Sequence, residues 1–189
     1  AGPSIGFQYS DLSQKGEEIS PEKGGSVSAS HTHYIGSLGD VDYDRTDVLS
    51  SAYWSKWLPS RHVLAGYLNF SLAPRLSNSF FGQSTASAGY QTALTQSAFL
   101  LRGYSAGNFL AKNMVNATVE YRFPLAYLHR GWSTAPIFLK RWHAALFCDA
   151  TTFDGVYYNY EDKLYHRPNI GRYFVGTGDE LKADLTLFY

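Results

Sequence analysis

Strict two-residue alternation of apolar and polar side chains is the feature that most constrains this chain. Val115, Ala117, Val119, Tyr121 and Phe123 fall on one parity, and Asn116, Thr118, Glu120 and Arg122 on the other. Successive side chains of an extended strand leave opposite faces, so such a run separates an apolar surface from a polar one. The pattern recurs along the chain, whereas helix-period stretches are scarce. Ile5, Phe7 and Tyr9 alternate with small polar residues, as do Val27, Ala29, His31, His33 and Ile35. A third segment, about 46–58, alternates less cleanly. The fourth sets Leu64, Gly66, Leu68, Phe70 and Leu72 against Ala65, Tyr67, Asn69 and Ser71. Beyond the run at 115–123 come 136–150, with Trp142, Ala144, Leu146 and Cys148 opposed to His143, Ala145, Phe147 and Asp149, and 172–189, with Leu181, Ala183 and Leu185 opposed to Lys182 and Asp184. The sequence therefore predicts an all-β chain of about seven strands, several longer than the ~5–6 residues common in globular sheets.

Composition narrows the class. The 189 residues suffice for one sizeable domain, and 16 basic against 16 acidic side chains leave no net charge. A nucleic-acid partner needs a basic face, which this balance does not supply. Mean hydropathy is −0.25, and no stretch reaches the ~18 apolar residues of a spanning helix. Aromatics are 16% of the chain. Transmembrane β-barrels escape the helix test, because their strands point apolar side chains outward and polar ones inward and so average to a polar composition. The lone Cys148 excludes an internal disulfide framework and a cysteine-based zinc cluster. The opening residues Ala1 to Ser4 carry no secretory signal, so the expectation is a mature product or an internal piece of a longer chain.

The connections point the same way. Residues 36–45, 74–110 and 151–171 are long and rich in Gly, Ser, Asp and Tyr, whereas Pro59-Ser60 marks a tight turn. Outer-membrane barrels have long extracellular loops and short periplasmic turns. Placing 74–110 and 151–171 outside puts 10–23, 58–61 and 124–135 on the periplasmic side. Trp54, Trp57, Trp132 and the Phe188-Tyr189 pair then lie at the level of an aromatic girdle. Seven strands leave two open edges, which lipid does not tolerate. Residues 1–189 are accordingly expected to be an incomplete, carboxy-terminal portion of a barrel.

Four motifs fall in register on this pattern. Arg102-Gly103-Tyr104 ends the long loop, Glu120-Tyr121-Arg122-Phe123-Pro124 occupies the next strand, Phe147-Cys148-Asp149 the one after, and Pro21-Glu22-Lys23-Gly24-Gly25 precedes an early strand. Together they resemble the signature loop, its following strand, the F-x-D strand and the P-x-x-G turn of the BamA-type superfamily of outer-membrane insertases and translocation pores, whose relatives include TamA-like proteins and two-partner secretion transporters. The resemblance spans nearly the whole chain. It implies an up-and-down antiparallel barrel of about sixteen strands, of which this chain would supply the eighth to the fourteenth, with the last two strands and a periplasmic module such as POTRA repeats lying outside it. It also implies non-enzymatic insertion or translocation of polypeptides at the bacterial outer membrane, with lipids, unfolded or secreted cargo and the periplasmic module as partners, and with no cofactor.

In that family the signature loop folds into the lumen and its arginine docks on acidic wall residues. In this chain Glu120 and Asp149 share the polar parity on adjacent strands, and Arg102 is their natural partner. Its planar fork suits carboxylates. Gly103 permits close backbone approach, and Tyr104 can pack while its hydroxyl finds a polar partner. Arg122, Phe123 and Phe147 are supporting motif residues. Generic polar filling of a lumen is the plainer reading of one arginine and two acids. The ~35-residue loop before Arg102, far longer than ordinary connections, tips the balance toward docking.

Other candidates are weaker. His31 and His33 share a strand face without a visible third ligand, which favours a structural role over a metal. Gly39 to Asp44 resembles half a calcium loop but lacks its spaced glycine and terminal glutamate. Asn69-Phe70-Ser71 and Asn116-Ala117-Thr118 match a glycosylation pattern by chance. No G-x-S-x-G elbow surrounds Ser51, Ser71 or Ser105, and no phosphate-binding loop is present. Asp154, His166 and Asp179 are the only raw material for a catalytic rim. The competing expectations are an outer-membrane enzyme or passive pore, and a soluble barrel that binds a small ligand.

Overall fold

Each alternating stretch becomes a strand, and each long strand pairs antiparallel with its neighbour in sequence, giving one up-and-down sheet. The computed structural model describes residues 2–14, 19–35, 43–73, 83–84, 99, 101–104, 109–131, 137–159, 161–168 and 171–187. Among these the elements are β1 (Ser4–Ser13), β2 (Lys23–Tyr34), β3 (Tyr43–Trp54), β4 (Val63–Leu72), β5 (Gln83–Ser84), β6 (Phe109–Gly131), β7 (Ile137–Asn159), β8 (Leu164–His166) and β9 (Phe174–Leu187), with no helix. The order is β1-β2-β3-β4-β6-β7, and both β8 and β9 pair with β7. β5 pairs with Leu110 and Ala111 of β6, just past the point where Leu72 of β4 meets Asn113.

Several sequence boundaries need correction. Among the described residues seven long strands are present, and β5 and β8 add two short ones. The third strand is Tyr43–Trp54 rather than 46–58, and it reaches into the loop expected at 36–45. β1 ends at Ser13 and β2 begins at Lys23, so both trim the turn expected at 10–23. The turn expected at 124–135 is largely strand, because β6 runs through Pro124 to Gly131. Pro124 has no N–H to give the ladder, and the register with β7 slips between Pro124 and Ala126 and again between Tyr127 and Arg130. Bulges of this kind let a strand continue past a proline. Likewise β7 continues to Asn159, and β8 occupies part of the loop expected at 151–171. Leu58 N–H donates to Ser55 O and His62 N–H to Pro59 O, each at 3.0 Å, so the expected Pro59-Ser60 turn is a double turn. Its second half closes on Arg61 at φ 66°. Trp132, Phe188 and Tyr189 lie outside the described residues.

The burial of the two faces is inverted relative to an ordinary soluble sheet. Leu64, Leu68 and Leu72 of β4, Val119 of β6, Leu146 of β7 and Leu181 and Leu185 of β9 are 41–65% exposed. On the opposite face Asn69, Ser71, Asn116, Thr118, Glu120, Asp149 and Thr151 are buried. Register explains the coherence. Thr118 stands opposite Asp149, Asn116 opposite Thr151, and Asn69 opposite Asn116, so the polar positions of one strand meet those of the next. Phe99, Leu101, Phe109, Ala111, Met114 and Phe174 form a small apolar cluster, with Phe153 packed against it.

Candidate functional site

The end of the long connection lies on the polar face. Asp149 is carried by β7 opposite Gly176 of β9, and the Arg102 backbone lies over that glycine: a Cβ on Gly176 would fall 2.0 Å from the Arg102 carbonyl oxygen. Gly103 follows with φ 89°, a left-handed conformation that favours glycine. Tyr104 then turns its ring edge-on to Phe109 and Phe174, at centroid separations of 5.3 and 6.2 Å, and its hydroxyl donates to Val175 O at 3.4 Å. Phe99 and Leu101 fill the apolar cluster beside it.

Three carboxylates surround the Arg102 guanidinium. Nε and Nη2 donate to Asp149 Oδ2 and Oδ1 at 2.8 and 2.7 Å, a bidentate pair, and the Arg102 backbone N–H adds a bond to Oδ2 at 2.9 Å. Nη1 donates to Glu120 Oε1 at 2.7 Å and to Glu180 Oε1 at 3.1 Å. The guanidinium carbon stands 3.5 Å from the centroid of the Phe147 ring, which supplies a cation–π floor. That ring lies across Gly178 of β9, where a Cβ would sit 2.9 Å from its tip. Arg102 and Asp149 are both buried, so the pair is shielded far more than a surface ion pair.

The network extends along the sheet. Arg122 Nε and Nη2 hold Glu120 Oε2 at 2.8 and 2.6 Å, and Nη2 also donates to the Tyr67 hydroxyl at 2.6 Å. The Tyr67 and Tyr53 hydroxyls lie 3.2 Å apart. On the other side Lys182 Nζ meets Glu180 Oε2 at 2.6 Å. A continuous polar chain thus crosses from β3 to β9. Arg102, Arg122 and Lys182 formally balance Glu120, Asp149 and Glu180.

The structure therefore brings Arg102, Glu120, Asp149, Arg122 and Phe147 together, with Gly103 and Tyr104 shaping the approach of the loop. Phe123 is elsewhere: its parity puts it on the apolar face, where it stacks on His62 at 5.9 Å. Sequence reasoning missed Glu180, Gly176 and Gly178. The signal lay in Gly176, Gly178, Glu180 and Lys182, four alternate positions of one strand with small residues beside charged ones.

The remaining candidates are dispersed. His31 Nδ1 bonds Thr46 Oγ1 at 2.9 Å and His33 Nδ1 bonds Asp44 Oδ1 at 2.7 Å, tying β2 to β3. Among the described residues no group of three His, Cys, Asp or Glu side chains is arranged to hold a metal. Gly39 to Asp42 of the half calcium loop lie outside the described residues. Asp154 is engaged by Lys112 and Asn113, His166 by Asp162, and Asp179 stands opposite Leu146. No protein-family model and no curated protein matches the chain.

Proposed function

We propose that the chain is part of a transmembrane β-barrel of the bacterial outer membrane, of the BamA type, which assists insertion or translocation of polypeptides without enzymatic chemistry. The observation that carries this reading is the inverted sheet, with an exposed apolar face and a polar face holding a buried, neutralised charge network under a docked loop. A soluble sheet with so much exposed leucine, valine and aromatic surface would associate through it. Facing lipid, the same surface needs no further cover, and the polar face becomes the wall of a lumen. In this reading the outer edges of β1 and β9 pair with further strands of a barrel of about sixteen, because unpaired backbone groups are costly in hydrocarbon.

The docked loop supplies the functional element. Arg102 fixes the end of the long connection against the lumen wall, so that the position of the loop and the width of the passage are set by one ion cluster. Unfolded or secreted polypeptide is the cargo, a periplasmic module of the parent chain receives it, and its own folding drives the process. The test is Arg102→Ala in the full-length parent, with outer-membrane protein levels and passenger secretion measured beside a folding assay of the barrel. A folded barrel with impaired assembly or secretion is expected. Undisturbed assembly and secretion in a folded barrel would sink the assignment.

A further inference from the structure

The three carboxylates that hold Arg102 are not equivalent. Glu120 also has Arg122 on its second oxygen, and Glu180 has Lys182 on its second oxygen. Both of these cations belong to the sheet and stay with it if the loop leaves. Asp149 is fully buried, and among the described residues its ion pair is with Arg102 alone. Departure of the loop therefore strips one carboxylate of its counter-charge and leaves it in a seat with a distinct shape. Two oxygens point along the fork of a planar cation, the Phe147 ring forms a flat floor, and Gly178 leaves that ring room to lie flat. A lysine ammonium could answer the charge, but it cannot make the parallel pair of bonds or stack on the ring.

We propose that Asp149 and Phe147, with Glu120 and Glu180 at the rim, form a receptor for guanidinium groups, filled by Arg102 when the loop is docked and by arginine side chains of a passing polypeptide when it is not. Arg102 is then a tethered ligand that occupies the cargo's own site. That the competing arginine comes from cargo rests on the function proposed above; the guanidinium preference of the seat does not. A tethered group competes at an effective concentration in the millimolar range, so a single foreign arginine displaces it weakly, and a chain presenting several in succession displaces it well.

The experiment uses the full chain in detergent and an unstructured, fluorescently labelled peptide carrying one arginine, beside the same peptide with lysine in its place. The Arg102→Ala protein is expected to bind the arginine peptide at least tenfold more tightly than the lysine peptide, and at least tenfold more tightly than the unsubstituted protein does. Adding Asp149→Asn is expected to abolish both differences. Equal binding of the two peptides, or a preference that survives Asp149→Asn, overturns the proposal. Should Arg102→Ala fail to fold, the unsubstituted protein is exposed to argininamide or lysinamide at equal ionic strength, and hydrogen exchange of the Leu101 to Tyr104 amides is followed. Faster exchange in argininamide alone supports the receptor; equal exchange in both overturns it. Because these assays read binding and not cargo movement, a failed peptide preference alongside lost secretion in Arg102→Ala removes only the receptor. A clear preference alongside undisturbed secretion removes the proposed function instead.

Discussion

Gly176 of β9 faces the carbonyl oxygen of Arg102 so closely that a methyl group on it would fall 2.0 Å from that oxygen. The contact is backbone against backbone, so no rotamer change relieves it. Gly176→Ala is expected to lift the loop from the sheet while every charged partner stays in place. Overpacking of this kind costs about 1–3 kcal/mol, and here part of the bonding of Arg102 to Asp149 is lost as well. Thermal unfolding in detergent, with protease access to the loop as a second readout, measures it. A protein as stable and as protected as the parent would show that the loop does not rest on β9.

The unequal partnership of Arg102 with its acids predicts unequal coupling. Asp149 is buried and accepts from both Nε and Nη2 of Arg102, whereas Glu180 is partly open, accepts only from Nη1 and is shared with Lys182. Breaking a buried pair from one side costs ~3–5 kcal/mol, so Arg102→Ala and Asp149→Ala are each expected to be severe. Their double-mutant cycle should give a coupling of about 2–3 kcal/mol, and the Arg102–Glu180 cycle less than about 1 kcal/mol. Chemical unfolding of the four variants in each cycle decides the matter. Equal couplings would mean that the acids act as one diffuse negative surface.

Tyr67 links the cluster to the far side of the sheet, accepting from Arg122 and lying within bonding distance of Tyr53. Tyr67→Phe keeps the ring and removes the acceptor, leaving a half-buried guanidinium short of one partner. A loss of about 1–2 kcal/mol is expected, with the loop still docked, since Arg122 retains Glu120. Unfolding combined with the same protease assay separates this outcome from Gly176→Ala, which should expose the loop.

The polar chain from Tyr67 to Lys182 shows what alternation can and cannot disclose. Parity alone put Glu120, Arg122, Asp149 and Lys182 on one face, because a strand has only two faces and the register preserves parity across neighbours. Parity could not choose which acids meet Arg102. That choice depends on a one-residue register between β7 and β9, which sets Gly176 beside Asp149 and Glu180 beside Ala145. Phe123 shows the same rule at work: it neighbours Arg122 in the motif, yet its parity sets it on the apolar face, where it stacks on His62. The ends of β6 were hidden by Pro124, whose usual role as a strand terminator is overridden by bulges. The inversion of burial was legible only as a contrast between faces, since alternation does not say which face is covered.

The β7–β8 hairpin offers a pH-dependent element away from the cluster. Desolvation would raise the Asp162 carboxyl, but the Leu164 N–H at 3.0 Å and the His166 ring at 2.5 Å outweigh it and hold the group below the ordinary aspartate value. A depressed carboxylate stabilises the folded form above its unfolded pKa of about 3.9, and that contribution is lost as pH falls through the lower folded value. Protection of the Leu164 to His166 amides, corrected for the intrinsic pH dependence of exchange, is therefore expected to be level near neutrality and to fall in the acid range as an extra opening appears. Asp162→Asn should show that opening at every pH. An acid response equal in the variant and the parent would remove Asp162 from the account.

Cys148 provides the sharpest test of where the apolar face points. It is the only cysteine, it is exposed, and it sits between Leu146 and Ala150 opposite Val119 and Thr177. Thr151, three residues on, is buried on the polar face and bonded to Asn116. A fluorophore on Cys148 in liposomes is expected to be quenched by spin-labelled lipids and spared by aqueous iodide. A fluorophore on Thr151→Cys, with Cys148→Ser to remove the native thiol, should show no lipid quenching if that variant folds. Should Thr151→Cys not fold, Ser28→Cys on the polar parity of β2 serves in its place, because Ser28 pairs with Leu49 of β3 at a less buried point of the same face. Iodide quenching at Cys148 as strong as at the polar-face position would place water, not lipid, against Leu146 and Val119, and the outer-membrane assignment would fall with it.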